Sequence, residues 1–297
     1  MLQPERSVDD IENDDEEMKY EHTEKEPMAC RLASIKELRA EVRDAMHNEL
    51  TDIISTHTFV GIVDEHKRIA AIQGGVKLFL VDYGMLCNEY FYQVGLTDFA
   101  NYGMIRFNPP LSLHDLLREG AEQEKNKAGD AVDEVDWDEV VGIVKEQLID
   151  KAALLAEYFS MEITPEGELC SIPLLMKDYI PSIAKLPEFL LRLGPHVNWN
   201  EEKGCFQTLL REIASFYVPE SLPLPPSTQV DDSGKGKGKI VDEDPEIAAR
   251  RKKLLRAIEY SIFPACKARL IGTRGLLKGG VMEVANLKGL YRVFERC

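Results

Sequence analysis

Phe59-Val60-Gly61-Ile62-Val63-Asp64, Arg68-Ile69-Ala70-Ala71-Ile72-Gln73 and Val76-Lys77-Leu78-Phe79-Leu80-Val81-Asp82 are three apolar, β-branched runs in direct succession. Polar Glu65–Lys67 separates the first two, and Gly74-Gly75 separates the second pair. A Gly-Gly step reaches the positive φ angles that a two-residue hairpin needs. The spacing predicts an antiparallel meander. The period then changes. Leu86, Tyr90, Phe91 and Val94 recur at helical spacing over Tyr83–Asn101, and Gly103 closes that segment. A meander feeding an apolar-striped helix makes the fold class α/β (α+β), mainly antiparallel sheet with helices.

Working upstream, Ser34-Ile35-Lys36-Glu37 has the pattern of a capping box. One helix is expected from there through Ile35, Leu38, Val42, Met46, Leu50 and Ile53. Before it, Asp9–Glu26 holds ten acidic residues and two lysines. Such a run buries too little apolar surface to fold alone. Residues 1–31 therefore read as a disordered acidic linker, expected to continue from an upstream domain.

Downstream, Met104–Phe107 reads as a strand that Pro109-Pro110 ends. Residues 109–218 then change character. Leu111–Leu117 reads as a short helix and Glu119–Asp138 as a mobile charged loop. Val140–Met161 reads as one long helix. Leu169–Leu175 and Phe189–Leu193 are short apolar segments. Trp199–Val218 reads as a helix with Cys205, Leu209, Ile213 and Phe216 on one face. Residues 219–245 form a flexible loop by composition, with Gly234-Lys235-Gly236-Lys237-Gly238-Lys239 inside it. A helix over Ile247–Leu270 and an apolar terminal run ending in Cys297 complete the chain. The organisation expected is a sheet-bearing unit from 32–108 and 246–297, with 109–218 as an inserted, mainly helical subdomain.

The chain has 297 residues, 44% hydrophobic, enough for a sizeable core. No apolar window approaches the length of a membrane span, and the N-terminus lacks the plan of a signal peptide, so cytosol or nucleus is expected. Lys and Arg number 36 against 52 Asp and Glu, for a net charge of −16. A protein that grips the DNA backbone unaided shows a basic footprint. DNA contact is therefore expected only within a complex. Arg250-Arg251-Lys252-Lys253 reads equally as a nuclear-import patch or as the solvent face of a helix start.

Signatures of chemistry are missing. The sequence has no P-loop, no Gly-x-Ser-x-Gly elbow and no His-Glu-x-x-His. The six histidines show no ligand spacing, and the six cysteines form no CxxC. Internal cysteines in a reducing compartment read as small buried hydrophobes. The residues alone describe an interaction module more than an enzyme.

The terminal stretch Ala285-Asn286-Leu287, then Leu290-Tyr291-Arg292-Val293-Phe294-Glu295-Arg296-Cys297, resembles the end of the MutL-homolog-one branch of the MutL mismatch-repair family. Phe59-Val60-Gly61, Asp98-Phe99-Ala100-Asn101, Ala156-Glu157-Tyr158-Phe159-Ser160, Ile172-Pro173-Leu174-Leu175 and Asn198-Trp199 are similar to the same branch in the same order. The likeness runs from about residue 32 to 297, apart from the charged loops.

The resemblance implies a MutL C-terminal dimerisation domain, acting in the nucleus in mismatch repair and meiotic recombination. It implies pairing with a paralogous nuclease subunit, with Leu290, Tyr291, Val293 and Phe294 anchoring the tail. It implies that Cys297 reaches a zinc at the partner's site, where a thiolate is a good ligand. It places a receptor for short peptide motifs of exonuclease and other repair proteins at Glu202. Nuclease-bearing relatives carry Asp-Gln-His-Ala-x-x-Glu. Here the stretch reads Asp82-Tyr83-Gly84-Met85-Leu86-Cys87-Asn88-Glu89, and only the first acid is kept. One carboxylate does not hold a hydrolytic metal, so a catalytically silent subunit is expected. A homodimeric scaffold, or a hydrolase with its own metal site, are the alternatives.

Overall fold

A computed structural model describes residues 20–21, 29–128, 135–221 and 244–286. The meander forms as the sequence predicts. Strands β2 (Thr58–Asp64), β3 (Ile69–Gly74) and β4 (Lys77–Asp82) pair antiparallel, and Gly75 turns the second hairpin at φ 60°. A distant strand, β7 (Val281–Asn286), adds antiparallel to β4, giving the order β2-β3-β4-β7. The row Ile62–Ala70–Val81–Val281 turns toward the core, and the neighbouring row Gly61–Ala71–Leu80–Met282 turns away from it.

The helix after the meander, α3 (Tyr83–Thr97), is the centre of the fold. Tyr83, Leu86, Cys87, Tyr90, Phe91, Tyr92, Val94 and Leu96 are all buried. A helix apolar on every side belongs inside. Helix α8 (Glu202–Tyr217) lies along it, with Cys205, Leu209, Ile213 and Phe216 buried as expected. Phe99, just past the end of α3, is fully buried and contacts Tyr158, Phe159 and Phe206 edge-on or stacked. Burying a side chain of that size contributes about 1.5–3 kcal/mol.

Several expectations fail for identifiable reasons. The capping box does not form. Leu32 is the N-cap of α1 (Ala33–Asp44), and Ser34 lies inside the helix, donating its hydroxyl to Glu202 Oε1 at 2.6 Å. The single first helix is two, α1 and α2 (Asn48–Thr56). Between them His47 N donates to Gly272 O and Arg274 N donates to Ala45 O, and Met46 bridges Thr273. Those backbone groups pair with a segment more than two hundred residues away instead of continuing a helix. His47 caps α2, its Nδ1 accepting from Leu50 N.

Pro109-Pro110 does not end a strand. Strand β5 (Gly103–Ser112) runs through it, because the ladder to β6 (Glu168–Leu174) skips from Arg106 to Leu111 and asks nothing of the proline nitrogens. The short helix at Leu111–Leu117 and the loop at Glu119–Asp138 are replaced by α4 (Leu113–Ala128), which buries Leu113, Leu117 and Ala121. Its charged face is laced by Gln123 to Glu119 and Lys127 to Glu124. The long helix from Val140 divides at Lys151 into α5 (Trp137–Asp150) and α6 (Ala152–Phe159). Helix α7 (Leu186–His196) completes the helical part.

Within the stretch expected to be a linker, Tyr20–Glu21 forms a short strand, β1, on β5, while residues 1–19 and 22–28 lie outside the described residues. The order of this second sheet is β1-β5-β6. Strand β5 spans residue 108, the boundary drawn between the sheet-bearing unit and the insert, and one buried cluster runs through both. Of the 219–245 loop, residues 222–243 lie outside the described residues.

The helix expected over Ile247–Leu270 is α9 (Pro245–Ala257), a π turn (Ile258–Ile262) and α10 (Phe263–Arg269). Pro264 has no N–H to offer the carbonyl of Tyr260, and the helix widens there. The basic run in α9 is largely structural. Arg251 is buried and pairs with Glu65, and Arg250 pairs with Glu220.

Candidate functional site

The four-stranded sheet carries exposed apolar side chains on its two outer strands. Val60 and Val63 on β2 are 58% and 59% exposed, and Met282 on β7 is 58% exposed. Leu78 and Leu80, half-buried, lie between these strands on β4. Val284 extends the patch along β7, an edge strand. Antiparallel sheets usually alternate apolar inside with polar outside. Exposed apolar side chains grouped in this way are a feature of surfaces that meet other proteins. Sequence reading saw the strands but not this surface, because alternation looks alike until one knows which side the helices cover.

Asp82 lies at the end of the same sheet, paired in register with Ile69. It is the N-cap of α3, its Oδ1 accepting from Met85 N at 3.0 Å. Next to it, a Cβ on Gly84 would stand 2.9 Å from both Cζ and Nε of Arg68. The Arg68 guanidinium thus fills the space that a side chain at position 84 would need. Glu89 is engaged elsewhere, accepting from Arg211 at 3.2 Å and from Gln93 at 2.9 Å. Cys87 is fully buried, which pushes its thiol well above the usual range. A carboxylate committed to a helix cap and a neighbouring guanidinium make a poor setting for a metal cation: the residues do not fit one. Among the described residues no group of three or more His, Cys, Asp or Glu is placed to hold a metal.

Glu202 begins α8 at the junction with α1. Its carboxylate accepts from Ser34, and Lys203 beside it bridges Glu41 at 2.8 Å and Glu37 at 2.9 Å. Those two carboxylates hold the Lys203 ammonium above the ordinary lysine range. Tyr158 lies close by. A hydrogen bond to Glu157 raises its hydroxyl, with burial, the Glu157 charge and the Glu202 charge adding to the effect. The corner is thus acidic with a half-buried aromatic at its edge. Position alone also gives Glu202 a structural role at the helix N-terminus.

Cys297, Leu290, Tyr291, Val293 and Phe294 lie outside the described residues. Of the other cysteines, Cys87, Cys205 and Cys266 are buried and Cys30 and Cys170 half-buried, all as free thiols. Burial raises Cys205 to about 11, consistent with an inert packing role.

The family described as "DNA mismatch repair protein Mlh1 C-terminus" matches residues 31–297. The chain belongs to this Mlh1 C-terminal family. It is 40% identical over 291 residues to DNA mismatch repair protein MLH1 of Saccharomyces cerevisiae, covering 94% of this chain and 35% of that protein. It is 33% identical over 268 residues to DNA mismatch repair protein Mlh1 of Dictyostelium discoideum, covering 90% and 30%. It is 31% identical over 287 residues to the putative MutL protein homolog 1 of Schizosaccharomyces pombe, covering 96% and 37%. The chain spans about a third of the length of these relatives. The mixed α/β fold expected of a MutL C-terminal domain is the fold of this Mlh1-family domain. No helix among its described residues is long and apolar enough to cross a membrane.

Proposed function

We propose that this Mlh1-family domain pairs with a paralogous MutL-family subunit in the nucleus. The observation that carries the reading is the set of exposed apolar side chains on the outer strands of the sheet, Val60 and Val63 on β2 and Met282 and Val284 on β7. The subunit contributes no hydrolytic site of its own. Arg68 beside Gly84 supports that, because a cation near this position opposes a second one. DNA meets the pair, not this acidic chain alone. Native mass measurement of the chain, with and without a paralogous MutL subunit, tests the pairing. A one-to-one complex formed at the expense of self-association is expected. A stable homodimer that ignores the paralogue defeats the proposal.

The tail belongs to the same reading. Cys297 serves as a thiolate ligand at the partner's zinc, while Leu290, Tyr291, Val293 and Phe294 anchor the segment leading to it. Deleting Cys297 is expected to leave pairing intact while lowering both the zinc content of the complex and its nicking of DNA. Unchanged zinc with unchanged nicking would dispose of the role.

Glu202 is the anchor for basic peptide motifs of exonuclease and other repair proteins. The acidic surroundings of Glu37 and Glu41 support this, since charge-assisted bonds to a peptide Arg or Lys are the strong ones. Glu202→Ala and Ser34→Ala both break the Ser34–Glu202 hydrogen bond, but only the first removes the carboxylate. Titration of a basic exonuclease-type peptide should show roughly tenfold weaker binding for Glu202→Ala and near wild-type binding for Ser34→Ala. Equal losses in both would return Glu202 to a structural role.

A further inference from the structure

A second groove lies between residues 177–184 and the α9–π segment. It encloses about 700 Å³. Ile180, Ile183, Leu254 and Ala257 give it an apolar lining, and Tyr260, 66% exposed, stands at its edge. Lys177, Lys253 and Arg256 surround it, each exposed. The other two cations nearby are spent inside the fold, Arg250 on Glu220 and Ser182, and Arg251 on Glu65. Among the described residues, Lys177, Lys253 and Arg256 have no anionic partner. Asp178 is the one lining carboxylate outside the Arg250–Glu220 pair, so three such cations leave the rim net positive in a chain of net charge −16. Tyr260 is carried to the groove edge by the π turn that Pro264 opens.

We propose that this groove docks a short acidic peptide bearing an aromatic or aliphatic anchor, supplied by a partner protein. The lining takes the anchor, and Lys177, Lys253 and Arg256 take the flanking carboxylates. Nucleic acid fits less well. An apolar cleft offers little to a phosphate backbone, and the chain's overall charge repels one. The groove is opposite in polarity to the Glu202 corner, so the domain sorts two kinds of peptide by charge.

The test uses the full chain with labelled methyl groups and the hexapeptide acetyl-Asp-Glu-Phe-Asp-Leu-Glu-amide. Saturable shifts of the Ile180, Ile183 and Leu254 methyls are expected. Lys253→Glu combined with Arg256→Glu should weaken binding roughly tenfold, and Tyr260→Ala about threefold. Both cations are exposed, so unchanged melting of the double variant confirms that the fold is intact. Shifts absent from these methyls, or equal affinity in the double variant, overturn the proposal. So does equal or tighter binding at the same methyls by a lysine-substituted hexapeptide or a thymidine oligonucleotide.

Discussion

Val60→Asp or Met282→Asp should abolish pairing with a paralogous subunit while leaving the isolated chain folded. Both side chains are more than half exposed, so an added carboxylate stays hydrated in the free chain and costs little. In a complex that covers the exposed apolar side chains of β2 and β7, the same carboxylate is buried without a partner. Central interface positions lose about 2–4 kcal/mol on such disruption, a weakening of roughly 30- to 1,000-fold. Ile143 is the control. It is as exposed as Met282 but lies on α5, off the sheet. Ile143→Asp should pair like the unmodified chain in sedimentation analysis. Equal pairing by all three variants would show that the sheet face is not the interface.

Lys185→Met should be among the most destabilising single changes in the helical part. Lys185 stands at the start of α7, and its ammonium donates at 2.8 Å to the carbonyls of Ser215, Phe216 and Val218. These are carbonyls at the end of α8, where a helix leaves its last acceptors without internal partners. One side chain satisfies three of them and joins two helices. Methionine keeps the stem and removes every donor. The half-buried carbonyls of Phe216 and Val218 then lose their partner, at about 3 kcal/mol in total. At roughly 2–4 °C per kcal/mol for a chain of this size, melting should fall by about 6–12 °C. A fall under about 2 °C would mean that water replaces the ammonium at little cost.

The same lysine shows why some of the fold escaped sequence reading. Nothing local to Ala184-Lys185-Leu186 marks Lys185 as the cap of a helix thirty residues on. Ser34 is the opposite case. Its local pattern was strong and misleading, because Glu202, 168 residues away, accepts its hydroxyl at the junction of α1 with α8. The break between α1 and α2 has the same cause, since Gly272–Arg274 takes the backbone groups that a continuous helix would use. Local propensity lost wherever a distant segment satisfied the same donors and acceptors.

What the sequence determined by itself was short-range. The period-two runs at 59–82 with their Gly-Gly turn specify a meander, and the helical spacing of Leu86, Tyr90, Phe91 and Val94 specifies a helix after it, whose burial on every side only the structure revealed. That Asp82–Glu89 keeps one acid of the set carried by nuclease-bearing relatives was implied only by the resemblance to that family. Only the tertiary structure decided which sheet face the helices cover, and so which apolar side chains are left for a partner. It also decided that Arg68 occupies the space beside Gly84, and that three cations converge on one apolar groove. Each of these depends on groups far apart in the chain meeting in space, and side-chain periodicity carries no information about such meetings.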